Sequence, residues 1–254
     1  MAVICPELKL LFLCVPRTAS TSISEVLINQ FNGQWLPPHH IRNIMGKIVV
    51  DYKHTTYRQV VEKKLTQPAE MKGYTKIAFT RNPYDWLVSD YCWKKACYAT
   101  LMGKPTSHLG EAGNMPTSIA ALRSKLKKRS RIFFDMLDAE RFLRYRRIYH
   151  FSFEEYCRLH LSRQGRSVYQ KFVEGGDVRI LKYENLQSEI RHLFMDLGVQ
   201  NIPAIPVVNS VPRERYQEYY TGKLRDMVWK AYKKDFDLFG YRFEKQADYC
   251  SIKG

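Results

Sequence analysis

The stretch that most constrains this chain is Val15-Pro16-Arg17-Thr18-Ala19-Ser20-Thr21-Ser22-Ile23, which converts an apolar run, Leu8 to Val15, into a segment of helical period. A buried strand that turns directly into a helix aims several backbone N–H groups, and the positive end of the helix dipole, at one point. Thr18, Ser20, Thr21 and Ser22 add hydroxyl donors there and Arg17 adds a permanent charge, so the pattern reads as a cradle for a phosphate or sulfuryl group. Ser22-Ile23-Ser24-Glu25 also fits a capping box, with Ser22 as N-cap and Glu25 reaching back to it. Capping accounts for those two residues and leaves Arg17, Thr18, Ser20 and Thr21 unexplained. The stretch holds neither glycine nor lysine, which excludes the Gly-x-x-x-x-Gly-Lys-Ser/Thr loop of nucleotide hydrolases.

The same layout returns downstream. Ile23, Val26, Leu27 and Phe31 predict a helix that Gly33 ends, and Lys47 to Tyr52, rich in β-branched residues, predicts a second strand. A helix capped by Thr55 or Thr56 follows to about Leu65, then a third strand, Tyr74 to Thr80, which runs through Arg81 and Asn82 into a helix opened by Pro83 and extending to about Ala96. Further on, Ser152 to Glu155 reads as a capping box, Val178 to Tyr183 as a fourth strand, Leu186 to Leu197 as a helix closed by Gly198, and Thr221 to Asp235 as the last helix. Strands alternating with helices predict an α/β fold with a central parallel sheet flanked by helices, and such sheets bind ligands beyond the carboxyl ends of their strands.

With 254 residues, 45% of them hydrophobic, the chain is long enough for one substantial core, and a single domain over 1–254 is expected. Residues 98–150 stand apart as a basic, loop-rich insertion with Gly103, Pro105, Gly110, Gly113 and Pro116 in its first part and Lys125, Lys127, Lys128, Arg129 and Arg131 beyond. The formal net charge of +16, from 41 Lys and Arg against 25 Asp and Glu, points to a polyanionic partner or an anionic cofactor. The six cysteines, Cys5, Cys14, Cys92, Cys97, Cys157 and Cys250, form no Cys-x-x-Cys pair and read as free thiols. No apolar run is long enough to span a bilayer, and Leu8 to Val15 lacks the flanks of a signal peptide. A cytoplasmic chain is expected, unless this is a truncated membrane-anchored enzyme.

Arg81 and Ser89 stand eight residues apart, one at a strand end and one about two turns into the next helix, so both can reach a phosphate over that helix's N-terminus. The alternative pairs Arg81 with Asp85 and leaves Ser89 to solvent. Among seven histidines, His39, His40 and His54 lie near the expected ligand edge. His54 follows the second strand directly, and an imidazole with a pKa near ~6.5 suits general-base work. A structural, hydrogen-bonded histidine is the alternative there. His39 and His40, in the turn after Pro37-Pro38, are too close in sequence to look like a metal pair and suit acceptor contact or plain turn surface.

The Pro16–Ser22 loop resembles the 5′-phosphosulfate-binding loop of sulfotransferases, Pro-Lys-Thr-x-x-Thr-Ser, and most closely the Pro-Lys-Thr-Ala-Ser-Thr-Ser form of glycosaminoglycan 2-O-sulfotransferases, with Arg17 where that family usually has lysine. Arg81 to Tyr91 is similar to the same family's 3′-phosphate segment, Leu181-Lys182-Tyr183-Glu184-Asn185-Leu186 to its Arg-Tyr-Glu-Asp-Leu segment, and 209–243 to the C-terminal segment of its carbohydrate-type members. The resemblance implies a P-loop-like three-layer sandwich. It also implies 3′-phosphoadenosine 5′-phosphosulfate as donor, adenosine 3′,5′-bisphosphate as product, and a carbohydrate hydroxyl as acceptor, which the charge suggests is anionic. Carried over residue by residue, it makes Arg17, Thr18, Ala19, Ser20, Thr21, Ser22, Arg81, Ser89 and Tyr183 the cofactor-binding set, and His54 and Arg17 the catalytic pair, with His39 and His40 toward the acceptor. No strand ends in an evident Walker B carboxylate, so no metal is expected, nor is nucleic acid as partner. Two other readings stay open at this point: a nucleotide kinase on a similar scaffold, and a basic nucleic-acid-binding protein stacking bases on Trp86, Tyr91 and Trp93.

Overall fold

The computed structural model describes residues 2–46, 48–52, 54–67, 70–102, 136–164, 167–206, 208 and 210–244. In chain order the strands are β1 Ala2–Cys5, β2 Leu10–Leu13, β3 Gln34–Leu36, β4 Ile41–Arg42, β5 Ile48–Val50, β6 Thr75–Thr80 and β7 Arg179–Lys182. The helices are α1 Ser20–Gln30, α2 Tyr57–Glu62, α3 Pro83–Leu101, α4 Met136–His150, α5 Phe153–Gln164, α6 Gln170–Val173, α7 Leu186–Asp196, α8 Gly222–Ala231 and α9 Lys233–Phe239. The chain divides into two compact units, one from Met1–Arg81 with Ser167–Val207, the other from Asn82–Arg166 with Val208–Gly254.

The first unit is built on a sheet in the order β3-β1-β2-β6-β7. β2 pairs parallel with β6, Leu10 opposite Thr75, and β6 pairs parallel with β7, Ile77 opposite Arg179. β1 pairs antiparallel with both β2 and β3. The expected all-parallel sheet is therefore a mixed one, because Ala2-Val3-Ile4-Cys5 is a strand of its own that the Pro6–Lys9 turn folds back onto β2, closed by Lys9 N–H to the Pro6 carbonyl at 3.1 Å. The first strand is correspondingly shorter than the Leu8–Val15 run. The second expected strand, β5, lies outside this sheet and pairs antiparallel with β4 in a two-stranded ribbon.

One face of the main sheet, with Val3, Cys5, Leu10, Phe12, Ile77, Phe79 and Leu181, packs on Ile23, Val26 and Leu27 of α1 and Ile190, Leu193 and Phe194 of α7. Alternate strand residues meet helix residues at one-turn spacing, as the two periodicities require, and each large apolar side chain so buried contributes about 1.5–3 kcal/mol. Leu11, Leu13 and Ala78, on the opposite face, are also fully buried, which explains why β2 reads as a continuous apolar run. Gly33 does more than stop α1: a Cβ there would sit 2.9 Å from both the Leu27 carbonyl and Val3 Cγ1, so only glycine lets the chain pass between helix and β1.

The second unit centres on α3, which runs to Leu101 and so takes in 98–101, expected as loop; 103–135, with the basic run to Arg131, lies outside the described residues, as does Cys250, and the last part of the expected loop-rich insertion, Met136–His150, is the helix α4. Trp93, Cys97 and Tyr98 of α3 pack on Phe142, Tyr145 and Tyr149 of α4, and Tyr84 packs among Tyr216, Tyr220, Phe236 and Phe243. Trp86 and Tyr91 are buried in α3 and Trp93 is half-buried, so the first two are not base-stacking surface. The capping box at Ser152 and Glu155 forms as expected. The expected last helix is broken at Tyr232 into α8 and α9.

Candidate active site

The expected cradle is the turn between β2 and α1. Arg17 (φ 65°) and Ala19 (φ 57°) both adopt the left-handed conformation without being glycine, each at a cost of about 1 kcal/mol or more. Thr18, fully buried, donates its hydroxyl to the Val15 carbonyl at 2.9 Å, so this hydroxyl braces the turn and is not offered to a ligand. The capping box expected at Ser22 is absent: α1 begins at Ser20, Ala19 is its N-cap, and no side chain caps it. Ser22 lies inside the first turn, buried, where it cannot take the N-cap role. The first intrahelical bond is Ile23 N–H to the Ala19 carbonyl, 3.1 Å, so the N–H groups of Ser20, Thr21 and Ser22 precede the ladder. Donors so placed, with the helix dipole behind them, are of the kind that can bind an anion.

Arg81 reaches this turn from the end of β6. Its Nη1 donates to the Arg17 carbonyl at 2.9 Å and its guanidinium lies 4.2 Å over the ring of Tyr183. The Tyr169 hydroxyl donates to the Arg81 carbonyl, and Arg81 itself is buried. The Asp85 carboxylate accepts from Arg213 at 2.5 Å in the second unit. Ser89 is buried on α3 in that second unit.

His54 follows β5 in a turn closed by its own N–H to the Asp51 carbonyl, 3.0 Å. Its Nδ1 lies 3.4 Å from the carbonyl of Cys14, the residue just after β2 and two before Pro16. A carbonyl only accepts, so Nδ1 carries the proton and Nε2 keeps its lone pair. Burial lowers the His54 pKa to about 4, helped by the charge of Lys171 and opposed by Asp51 and the Cys14 carbonyl. The expectation of a value near 6.5 therefore fails for the ligand-free protein: the ring is neutral throughout the physiological range.

His39 is exposed, and His40 Nδ1 lies 3.3 Å from Asp51 Oδ1 with its ring edge-on to Tyr52. The structure thus brings together Arg17, Arg81, Tyr183, His54 and the start of α1. Asp51 and Tyr169 were not legible as parts of this site. Asp51 had a signal, a carboxylate three residues before a candidate base, whereas Tyr169 had none. Among the described residues, no group of three or more His, Cys, Asp or Glu could hold a metal ion, and no helix is long and apolar enough to cross a membrane.

In the first unit, then, the central strand leads into a left-handed turn and a helix N-terminus without a side-chain cap, with the Arg81 guanidinium on the turn's backbone and the His54 ring on the Cys14 carbonyl. The Sulfotransferase family model matches residues 1–242, and the chain belongs to that family. It is a transferase of the sulfuryl group. No curated protein and no solved structure matches it.

Proposed function

We propose that this protein transfers a sulfuryl group from 3′-phosphoadenosine 5′-phosphosulfate to a hydroxyl of a carbohydrate, an anionic one given the net charge of +16. The observation that carries the reading is the placement of His54 on the Cys14 carbonyl, which sets a neutral imidazole beside the turn leading into α1. One family match over residues 1–242 supports reading the chain as a single sulfotransferase domain, and the P-loop-like three-layer scaffold is part of the proposal.

The residues fit the donor. The N–H groups of Ser20, Thr21 and Ser22, with the side chain of Arg17, would hold its 5′ end, and Arg81, Ser89 and Tyr183 its 3′-phosphate and nucleoside. The donor supplies a sulfuryl group on a good phosphate leaving group. His54 Nε2 accepts the proton of the acceptor hydroxyl, Nδ1 remaining fixed on the Cys14 carbonyl. An anion in the cradle acts against the effect of burial and raises the proton affinity of the ring at the moment it is used. Arg17 and the α1 N-terminus stabilise the negative charge that grows on the leaving oxygen, which makes the catalysis positioning and electrostatics, without a covalent enzyme intermediate. His39 and His40, on the turn before β4, face the acceptor in this reading.

The test is a transfer assay with labelled donor over uronic-acid polysaccharides, simple glycans and small phenols. Label should appear in the polysaccharides. Transfer to phenols alone would overturn the acceptor class, and magnesium-dependent turnover of ATP without binding of adenosine 3′,5′-bisphosphate would overturn the reading as a whole.

A further inference from the structure

We infer that Arg81, braced by Tyr169 and Tyr183, is a positioning residue for the Arg17 turn and so governs the 5′ end of the nucleotide site, beyond the 3′-phosphate contact assigned to it above; the inference rests on that reading of the site. A guanidinium kept only for a ligand would direct its donors outward. Arg81 instead spends one on the Arg17 carbonyl at 2.9 Å, stacks on Tyr183 at 4.2 Å, and has its own carbonyl held by the Tyr169 hydroxyl.

In a trans peptide the C=O and N–H point in opposite directions, so fixing the Arg17 carbonyl fixes the direction of the Thr18 N–H. It also holds Arg17 at φ 65°, a conformation that a residue other than glycine leaves when nothing restrains it. Thr18 Oγ1 on the Val15 carbonyl restrains the same peptide from the other side. Arg81 suits this work better than lysine would, because a planar fork can donate along its edge while its face stacks on an aromatic ring.

Adenosine 5′-phosphate separates this role from simple 3′-phosphate recognition, because it has no 3′-phosphate. In calorimetry on the full chain, Arg81→Lys should weaken adenosine 5′-phosphate roughly tenfold or more, as for one charge-assisted contact, and adenosine 3′,5′-bisphosphate at least as much. Tyr169→Phe, which leaves the guanidinium in place, should weaken both by a few-fold. Hydrogen exchange of the ligand-free chain over 17–22 should quicken in both variants. Unchanged binding of adenosine 5′-phosphate in Arg81→Lys would overturn the proposal, leaving Arg81 a 3′-phosphate ligand only. Weaker binding of both nucleotides with unchanged exchange would overturn it too, since Arg81 would then touch the ligand without setting the turn. If Arg81→Lys does not fold, Tyr169→Phe decides by the same criteria. A wild-type chain that binds neither nucleotide would instead overturn the proposed function, and exchange in the ligand-free variants would still decide the brace.

Discussion

Two neighbouring parallel strands, β2 and β6, each lead through an arginine into a helix, and the two turns treat the helix's first N–H groups in opposite ways. After β6, Asn82 caps α3 by accepting the Tyr84 N–H at 3.2 Å, and Pro83 stands where an N–H would otherwise be orphaned. Asp85 adds a negative charge to that first turn. After β2, no side chain caps α1, Ala19 is forced into a left-handed conformation, and the first turn carries hydroxyls with no acid. The same strand, arginine, turn and helix thus yields a self-satisfied cap in one place and, in the other, an uncapped helix N-terminus, the proposed anion cradle. A helix N-terminus becomes a site when the protein declines to spend its donors, and that costs stability.

Substitutions in the first turn's neighbourhood should therefore hurt chemistry, and those in the second should hurt folding. The largest effect is expected for His54→Ala: loss of a general base should lower kcat by roughly 10²–10⁴ with nearly unchanged affinity for adenosine 3′,5′-bisphosphate. A variant retaining most of its sulfate transfer would remove His54 from the mechanism. Next comes Arg17→Ala, which should lower kcat by about 10²–10³ and raise the donor KM much less, with Arg17→Lys restoring much of the rate, since the charge is kept. Steady-state kinetics that show a KM effect alone would mean the charge serves binding only.

The pH dependence sharpens the contrast. Because the fold lowers the His54 pKa from 6.5 to about 4, between those values the unfolded chain binds a proton that the native chain refuses. Stability from this group is therefore level above pH 6.5 and falls as the pH drops toward 4, by at most about 1.4 kcal/mol per pH unit. Urea unfolding of wild type and His54→Gln at pH 7 and pH 5 should show a smaller acid loss in the variant. Equal losses would mean the imidazole is not desolvated in the native state.

The parallel half of the sheet was legible because Leu10–Leu13 and Thr75–Thr80 are short, apolar and followed by helix signals. β3 was not: Gln34 is exposed and Trp35 half-buried, so only pairing with β1 makes Gln34–Leu36 a strand. β5 was legible as a strand, but its pairing with β4 is tertiary information that β-branched residues do not carry. In the candidate site, residue types pointed to the turn between β2 and α1 and to the arginine at the end of β6 that reaches it. They misplaced the helix start, because local rules favour Ser22 as a cap and argue against a left-handed alanine. Strain of that kind is visible only in backbone angles. Tyr169 was invisible for another reason: its contact with Arg81 spans 88 residues.

The smaller effects test the comparison at the level of the two caps. Asn82→Ala removes both the cap of α3 and a bond from Asn82 Nδ2 to the Arg242 carbonyl at 2.7 Å. It should cost about 1–2 kcal/mol, a Tm fall of several degrees, while kcat changes little. The smallest effect is expected for Ala19→Gly, and its sign is the informative part. At φ 57° the alanine Cβ costs about 1–2 kcal/mol, which glycine avoids, while the extra freedom of glycine in the unfolded chain returns about 0.5–1 kcal/mol of that gain. The net is a rise in Tm of a degree or two, in a variant whose ligand-free turn is less restrained and whose affinity for adenosine 3′,5′-bisphosphate is no better than wild type. Calorimetric melting and nucleotide titration measure both. A lower Tm would show that the turn at Ala19 is unstrained, and the contrast with the Asn82 cap would then rest on the missing cap alone.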